Sequence, residues 1–265
     1  MFFLIGGSGF LGSAFARFCT ESDLPHAIIT RANYAEYRGR RCDVLVNANG
    51  NAKKFLAERE PKTDFDASVR SVRASLDDFE FGTYVYLSSV DVYPDVSSPE
   101  TTTEDQQIDS AHQIPYGFHK SLAEQCVQHA AGRWLIARLG GFVGPGLSKN
   151  AIFDVLHQRP LWVDPASTFQ VLSTDQMARI VLELVSAGYD GEVFNVCGRG
   201  TISVAEIMDS VGYRVPVTAD RPRVAYDVNI SKLSRLIDVP DTPQTVRDFT
   251  AAEHWREEAP GGATS

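Results

Sequence analysis

Cysteine is scarce in this chain of 265 residues: Cys19, Cys42, Cys126 and Cys197 are scattered, with no C-x-x-C pair and no histidine cluster beside them. That pattern supports neither a disulfide framework nor a zinc site, and suits reduced, mostly buried thiols in a cytoplasmic protein. Long apolar runs are missing as well. No stretch approaches the roughly 18 apolar residues of a membrane span. The apolar opening Met1–Ile5 lacks a basic leader and runs straight into glycines, which suits a first β-strand better than a signal peptide. A basic excess is also absent, since 25 Lys and Arg stand against 34 Asp and Glu for a formal net charge of −9. Such a surface repels nucleic acid and anionic membrane, so neither is expected as a partner; a local pocket can still be positive and hold an anionic small molecule. No internal repeat is found. What remains, 43% hydrophobic and 22% charged residues, is ordinary globular usage at a length that supports a substantial core.

The periodicity of the chain predicts alternating strands and helices. Phe2–Ile5 reads as a strand that ends in Gly6-Gly7-Ser8-Gly9, and Leu11 to Thr20 has helical spacing with Leu11, Ala14, Phe15 and Phe18 on one face. His26–Thr30 and Cys42–Asn47 read as further strands, followed by a helix over Asp64–Phe79 and the β-prone run Tyr84–Ser88. The polar segment Ser97–Gln107 reads as a surface loop. Tyr116–Ala131 has helical spacing and leads into a strand at Trp134–Leu139. Beyond Gly144-Pro145-Gly146 the pattern loosens, with helices expected over Ala151–His157, Thr174–Ser186 and, behind an N-cap serine, Ser203–Val211, and a strand at Glu192–Val196. The expected fold is therefore α/β, a doubly wound Rossmann-type parallel sheet over residues 1–146. A smaller C-terminal substrate lobe spans 147–265, part of it returning to the sheet, and its small polar end APGGATS is expected to fray.

Three features carry chemistry. Gly6, Gly9 and Gly12 form G-x-x-G-x-x-G between the first strand and the first helix. A tight turn, close approach of a pyrophosphate and close helix–sheet packing each favour a residue without a β-carbon, and the helix N-terminus then holds phosphate. At the end of the second strand an acid would bind a ribose 2′-hydroxyl, whereas an arginine pairs with a 2′-phosphate. This chain has Thr30-Arg31 and no acid before Glu36, which points to NADP(H) with Arg31 as phosphate partner, the alternative being a solvated loop arginine and NAD. Tyr116-x-x-x-Lys120 places phenol and ammonium one helical turn apart, where the lysine cation is expected to favour the phenolate and bring the tyrosine toward neutral pH. Ser88-Ser89 closes a strand where open α/β sheets bind ligands, so a serine hydroxyl there can hold a substrate oxygen opposite the tyrosine.

Gly6-x-x-Gly9-x-x-Gly12, Ser88-Ser89-x-x-Val92-Tyr93 and Tyr116-x-x-x-Lys120, in that order, resemble the extended short-chain dehydrogenase/reductases, the NAD-dependent epimerase/dehydratase group. The likeness extends to Asp43–Ala48, Arg138–Pro145 and Gly191–Val196, about the first 200 residues. It implies Tyr116 as acid–base, Ser89 as the oxygen-holding partner and Lys120 as ribose-binding modulator of the tyrosine. It also implies a cofactor surface from Gly6, Gly9, Phe10, Leu11, Gly12, Asn47 and Ala48, and a homodimer paired through the helices at Asp64–Phe79 and Tyr116–Ala131. Most members act on nucleotide-linked sugars. Asp91, two residues past Ser89, stands where the family often keeps an extra acid or base; it is a proton-transfer group or a turn carboxylate. Val90 leaves vacant the acid that hexose 4,6-dehydratases carry, and the Tyr93-Pro94 and Thr30-Arg31 endings look most like GDP-fucose synthase and related NADPH-dependent sugar reductases.

Departures from the family's pattern are Gly141 and Ser68 in place of common asparagines, and a compressed segment between strands two and four. Lys149, Asn150, Trp162 and Arg221 are further candidate substrate contacts. The expected activity is an NADPH-dependent reductase of a nucleotide-linked keto sugar, with or without epimerisation. An NAD-retaining epimerase or dehydratase is the alternative, and a non-catalytic dinucleotide sensor the third reading.

Overall fold

Side chains of successive strand residues point to opposite faces of a sheet, and this chain uses both. Leu4, Val44, Val46, Val85, Leu87, Leu135 and Ala137 are buried in one apolar cluster, while Phe3, Ile5, Leu45, Tyr84, Tyr86 and Ile136 from the same strands are buried in another. A sheet that is apolar on both faces needs a helical layer on each.

The structure, a computed structural model, describes residues 1–51, 54–217 and 220–252. Its first half runs β1 (Phe2–Ile5), α1 (Gly12–Glu21), β2 (His26–Ile29), α2 (Tyr34–Tyr37), β3 (Arg41–Asn47), α3 (Lys54–Arg59), α4 (Pro61–Phe65), α5 (Ser71–Asp78) and β4 (Glu80–Ser89). Then come α6 (Pro115–Ala130), β5 (Trp134–Leu139), β6 (Gly141–Val143), α7 (Ala151–Leu156), β7 (Thr168–Phe169), β8 (Val171–Ser173) and α8 (Thr174–Ser186). The chain closes with β9 (Glu192–Val196), β10 (Ile202–Ser203), α9 (Val204–Val211), α10 (Ser231–Ser234) and α11 (Thr242–Ala251). Six parallel strands form the central sheet in the order β2-β1-β3-β4-β5-β9. The doubly wound Rossmann-type parallel sheet expected from the sequence is thus present. Helices α1 and α8 cover one face through Ala14, Phe15, Met177 and Val181; α5 and α6 cover the other through Val72, Leu76, Ala123 and Val127.

The strands and helices of the sheet lie within a few residues of their expected positions. Two expectations need correction. The helix expected over Asp64–Phe79 begins at Pro61 and contains a π-helical turn, Asp66–Arg70, between α4 and α5. Such turns are rare and frequent at functional sites. The polar segment 97–107 is more than a surface loop, because Thr102 is fully buried, its hydroxyl donating to the Ser98 carbonyl and accepting from Asn229 N. Glu104 accepts from Asn195 N at 2.9 Å, and Asn195 donates to the Thr102 carbonyl at 2.7 Å. Polar residues go inside where every donor and acceptor finds a partner, which composition cannot reveal.

From residue 147 onward the chain divides its work. Helix α8 and strand β9 return to the central sheet, while α7, α9 and α11 build a separate apolar cluster with Ile152, Val155, Leu161, Ile207 and Val246. Two small sheets, β6–β8 and β7–β10, belong with this second cluster. All four cysteines are free thiols. Among the described residues no helix is long and apolar enough to cross a membrane. The C-terminal stretch expected to fray lies outside the described residues.

Candidate active site

In the sheet order, the chain moves outward from β1 to β2 and then returns to the other side of β1 with β3. Ligands of open α/β sheets bind at such a reversal, beyond the carboxyl ends of the strands. Here the glycine loop leaves β1 beside the Ala48–Asn51 loop that leaves β3, and Ala48 N donates to the Ile5 carbonyl at 2.9 Å. A side chain at position 12 would collide with the Gly6 carbonyl, so only glycine lets α1 start this close to the loop. Strand end, tight turn and free helix N-terminus together fit a pyrophosphate.

A cavity of about 470 Å³ opens from this point, within the usual range of ligand pockets. Its wall includes Gly9, Phe10, Leu11, Gly12 and Ala48 at one end and Ser89, Asp91, Tyr116 and Lys120 deeper in. Gly141, Lys149 and Asn150 also line it. Gly6 shapes the loop from behind. Asn47, another expected cofactor residue, is buried away from the cavity: its amide donates to Ser75 Oγ and Tyr84 OH, and its carbonyl oxygen accepts from Asn49 N at 2.9 Å. Its side chain therefore fixes the loop that lines the cavity. Arg31 is exposed just past β2 and outside the lining, and among the described residues no carboxylate pairs with it. Trp162 and Arg221, expected near the substrate, stack on one another outside the cavity, with Trp162 67% exposed and the guanidinium 4.8 Å from its ring.

Helix α6 delivers Tyr116 and Lys120 to the end of β4. A Cβ at Gly117 would collide with the Asp91 carbonyl, so the glycine between them allows the helix to press onto the turn that follows Ser89. Ser88 and Ser89 point in opposite directions. Ser88 donates to Glu124 at 2.5 Å, whereas Ser89 hydrogen-bonds toward Tyr116 and donates to Asp91 at 2.9 Å. Ser89 is thus the serine brought to the tyrosine.

Burial pushes the Tyr116 phenol well above its ordinary range; the charge of Asp91 pushes it further, and the hydrogen bond with Ser89 pulls it back only in part. The Lys120 ammonium, expected to favour the phenolate, donates here to the Leu87 carbonyl at 3.0 Å. Burial in turn lowers Lys120 to about 8, against the opposing pull of Asp64, Glu124 and Asp91.

Three participants were not legible in the sequence. Lys54 donates to Asp91 at 2.6 Å, and Tyr226 donates to the same carboxylate oxygen at 3.0 Å; both side chains line the cavity, and they also hydrogen-bond each other. Burial opposes the Lys54 charge, but Asp91 and Tyr226 outweigh it and raise the ammonium above its usual range. The third is Asp64, fully buried behind Lys120 and bonded to His119 Nδ1 at 2.6 Å. The Asn- and Gly-rich loop ahead of Lys54 was a usable signal, since it follows a strand at the switch point. Tyr226 lies 135 residues from Asp91 and offered none.

Comparison with known proteins agrees with this fold. The structure of RMD from Pseudomonas aeruginosa complexed with NADPH superposes with a TM-score of 0.76 at 18% identity, covering 96% of this chain and 99% of that one. A dTDP-4-dehydrorhamnose reductase from Clostridium acetobutylicum gives 0.75 at 18% identity, with 95% and 99% covered. A double mutant of the dTDP-glucose 4,6-dehydratase DesIV from Streptomyces venezuelae, with NAD and DAU bound, gives 0.77 at 19% identity, with 97% of each chain covered. At these identities the likeness establishes the fold. No curated protein sequence matches the chain. The family model of the NAD dependent epimerase/dehydratase family matches residues 38–197. The chain belongs to that family, and is an NAD(P)-dependent enzyme of it.

Proposed function

We propose that this protein is an NADPH-dependent reductase of a nucleotide-linked keto sugar, with or without an epimerisation step. The observation that carries the reading is the end of β2, where Arg31 is exposed and no carboxylate among the described residues pairs with it. Such a strand end suits a 2′-phosphate, and so NADPH, better than a free ribose 2′-hydroxyl, while in the cavity burial and Asp91 push the Tyr116 phenol up, toward the form that gives a proton to a carbonyl oxygen.

When bound, NADPH supplies the hydride that forms the new C–H bond at the carbonyl carbon. Tyr116 gives its proton to the oxygen as the carbonyl π pair moves onto it, and the Ser89 hydroxyl holds that oxygen in place. Lys120 would hydrogen-bond the ribose of the cofactor and, as a cation, stabilise the tyrosinate left after proton transfer. Gly9, Phe10, Leu11, Gly12 and Ala48 hold the rest of the dinucleotide, and Arg31 takes the 2′-phosphate. Asp91, with Lys54 and Tyr226 on it, is a second proton-transfer centre facing the same cavity, the equipment an epimerisation at the neighbouring carbon requires. The nucleotide-sugar enzymes among the neighbouring structures support the substrate class. A homodimer through α5 and α6 completes the reading, with Phe65 and Phe118 exposed beside them.

Titration of the purified protein with NADPH and NADH, following nicotinamide fluorescence after removal of carried cofactor, tests it. A preference for NADPH of about tenfold or more, lost in Arg31→Ala, is expected from one charge-assisted phosphate contact. NAD retained through purification, or a preference for NADH, would instead favour an epimerase or dehydratase that recycles its cofactor.

A further inference from the structure

Lys120 is 5% exposed and faces charge from several elements. Glu124 lies on its own helix, Asp91 in the turn after β4 and Asp64 in α4, while the Tyr86 ring stands 5.1 Å from its nitrogen. Tyr116 is one turn back on the same helix. Two of the three carboxylates already have a cation of their own. Glu124 is paired with Arg138 at 2.8 Å and Asp91 with Lys54 at 2.6 Å. Asp64 is different.

It is fully buried, and its partners are His119 Nδ1 at 2.6 Å, the Asn51 amide at 2.8 Å and the Ser68 hydroxyl at 3.4 Å. Among the described residues no lysine or arginine is paired with it. Ser68 lies in the π-helical turn, and a Cβ at Gly50 would sit 3.4 Å from Lys120 Nζ and 3.7 Å from Ser68 Oγ. One carboxylate thus ties together α4, the π turn, the Asn49–Asn51 loop and the helix that carries Lys120.

We propose that Asp64 is a positioning residue of the cofactor site: the buried counter-charge that keeps Lys120 a cation and, through Asn51, holds the Gly50 loop against it, so that it sets the upper pH limit of dinucleotide binding. The inference rests on the reading of Lys120 as the ribose-binding lysine. A buried ammonium without its own carboxylate loses its proton readily. The neutral amine keeps fewer donors and no charge, so binding that needs the cation weakens by about tenfold per pH unit once the proton is lost. Removing Asp64 moves that loss to lower pH while leaving the polar contacts of the glycine loop in place.

The test is the dissociation constant of NADPH, and of NADH as a probe without the 2′-phosphate, measured by fluorescence from pH 6.5 to 9.5 at constant ionic strength. For the wild-type protein affinity is expected to fall with a midpoint near 8. In Asp64→Asn the midpoint should move down by about one unit, the shift a removed neighbouring charge produces, with a severalfold weaker Kd at pH 7.5. His119→Gln keeps the carboxylate, so its midpoint should stay at or above that of the wild type even if the protein melts at lower temperature. An Asp64→Asn variant with a lower melting temperature but an unmoved midpoint overturns the proposal, as does a wild-type affinity that is flat across the range or a downward shift in His119→Gln. Absence of binding by either dinucleotide at any pH would instead overturn the assignment of the cofactor site, and this inference with it.

Discussion

Two cations are buried almost equally in this protein, and the fold treats them in opposite ways. Arg138 is 4% exposed and Lys120 is 5% exposed, both close to Glu124. Arg138 meets that carboxylate through two nitrogens, at 3.1 and 2.8 Å, and donates to the Tyr93 hydroxyl at 2.8 Å. Tyr93 passes the chain on to Asn195 at 3.0 Å, and Ser88 fills a remaining site on Glu124. Burial opposes the arginine charge, but Glu124 and Tyr93 outweigh it and raise the guanidinium above its ordinary range. Among the described residues Lys120 has one hydrogen bond, to the Leu87 carbonyl, and burial lowers it to about 8. A cation whose nitrogens each find a partner inside the protein holds the fold together. One left with donors facing a cavity is kept for something that binds there, and costs stability meanwhile.

The comparison is open to direct tests. The largest effect is expected at the tyrosine beside the lysine: Tyr116→Phe should lower kcat by about 10²–10⁴-fold, the usual worth of a positioned acid, while NADPH still binds. A reductase assay on nucleoside-diphosphate keto sugars, read as NADPH oxidation, measures it. Next is the closed pair. Arg138→Met leaves Glu124 buried and uncompensated, so urea unfolding should show a loss of about 3–5 kcal/mol. Cofactor affinity of the folded protein should stay within about twofold, since Arg138 does not line the cavity.

Lys120→Met should behave differently. The cost of a buried, depressed ammonium disappears but Asp64 loses its neighbouring cation, so the two effects offset and apo stability at pH 7 should change by less than in Arg138→Met, while NADPH affinity falls by about tenfold or more. The sign with pH follows. Folded Lys120 loses its proton near pH 8 and an unfolded lysine only near 10.4, so between those values the unfolded state holds more protons and wild-type stability rises with pH. Wild-type stability should therefore gain on that of Lys120→Met over that window. The smallest effect on stability is expected for Asp91→Asn. Its partner Lys54 is 43% exposed, so unfolding should change by about 1 kcal/mol or less. Turnover should nevertheless drop by about tenfold or more as the Ser89 and Tyr226 contacts rearrange. A large loss of stability there would make Asp91 a second Glu124 and erase the distinction.

Glu124 and Arg138 also show what the sequence could not sort. Both stand near the quoted motifs, as do Ser88 and Tyr93, yet their side chains close on one another behind the sheet. Ser88 and Ser89 were equally eligible as the substrate-facing serine by type, and the alternation of a strand sends them to different networks. Tyr116 is a further case: spacing sets it one turn from a lysine, whereas the fold buries it beside Asp91, which pushes the phenol up.

The sequence by itself determined what depends on neighbours along the chain. Short apolar or β-prone runs at residues 2–5, 42–47 and 84–88 set the strands, helical periodicity set α1, α6 and α8, and glycine spacing set the turn between β1 and α1. Only the tertiary structure decided which charges meet. Lys54 and Tyr226 reach Asp91 across 37 and 135 residues, and Asp64 reaches His119 across 55. Local periodicity says nothing of contacts at such separations. Whether a buried carboxylate or ammonium holds the fold or serves the cavity depends on how many of its hydrogen bonds the rest of the chain satisfies.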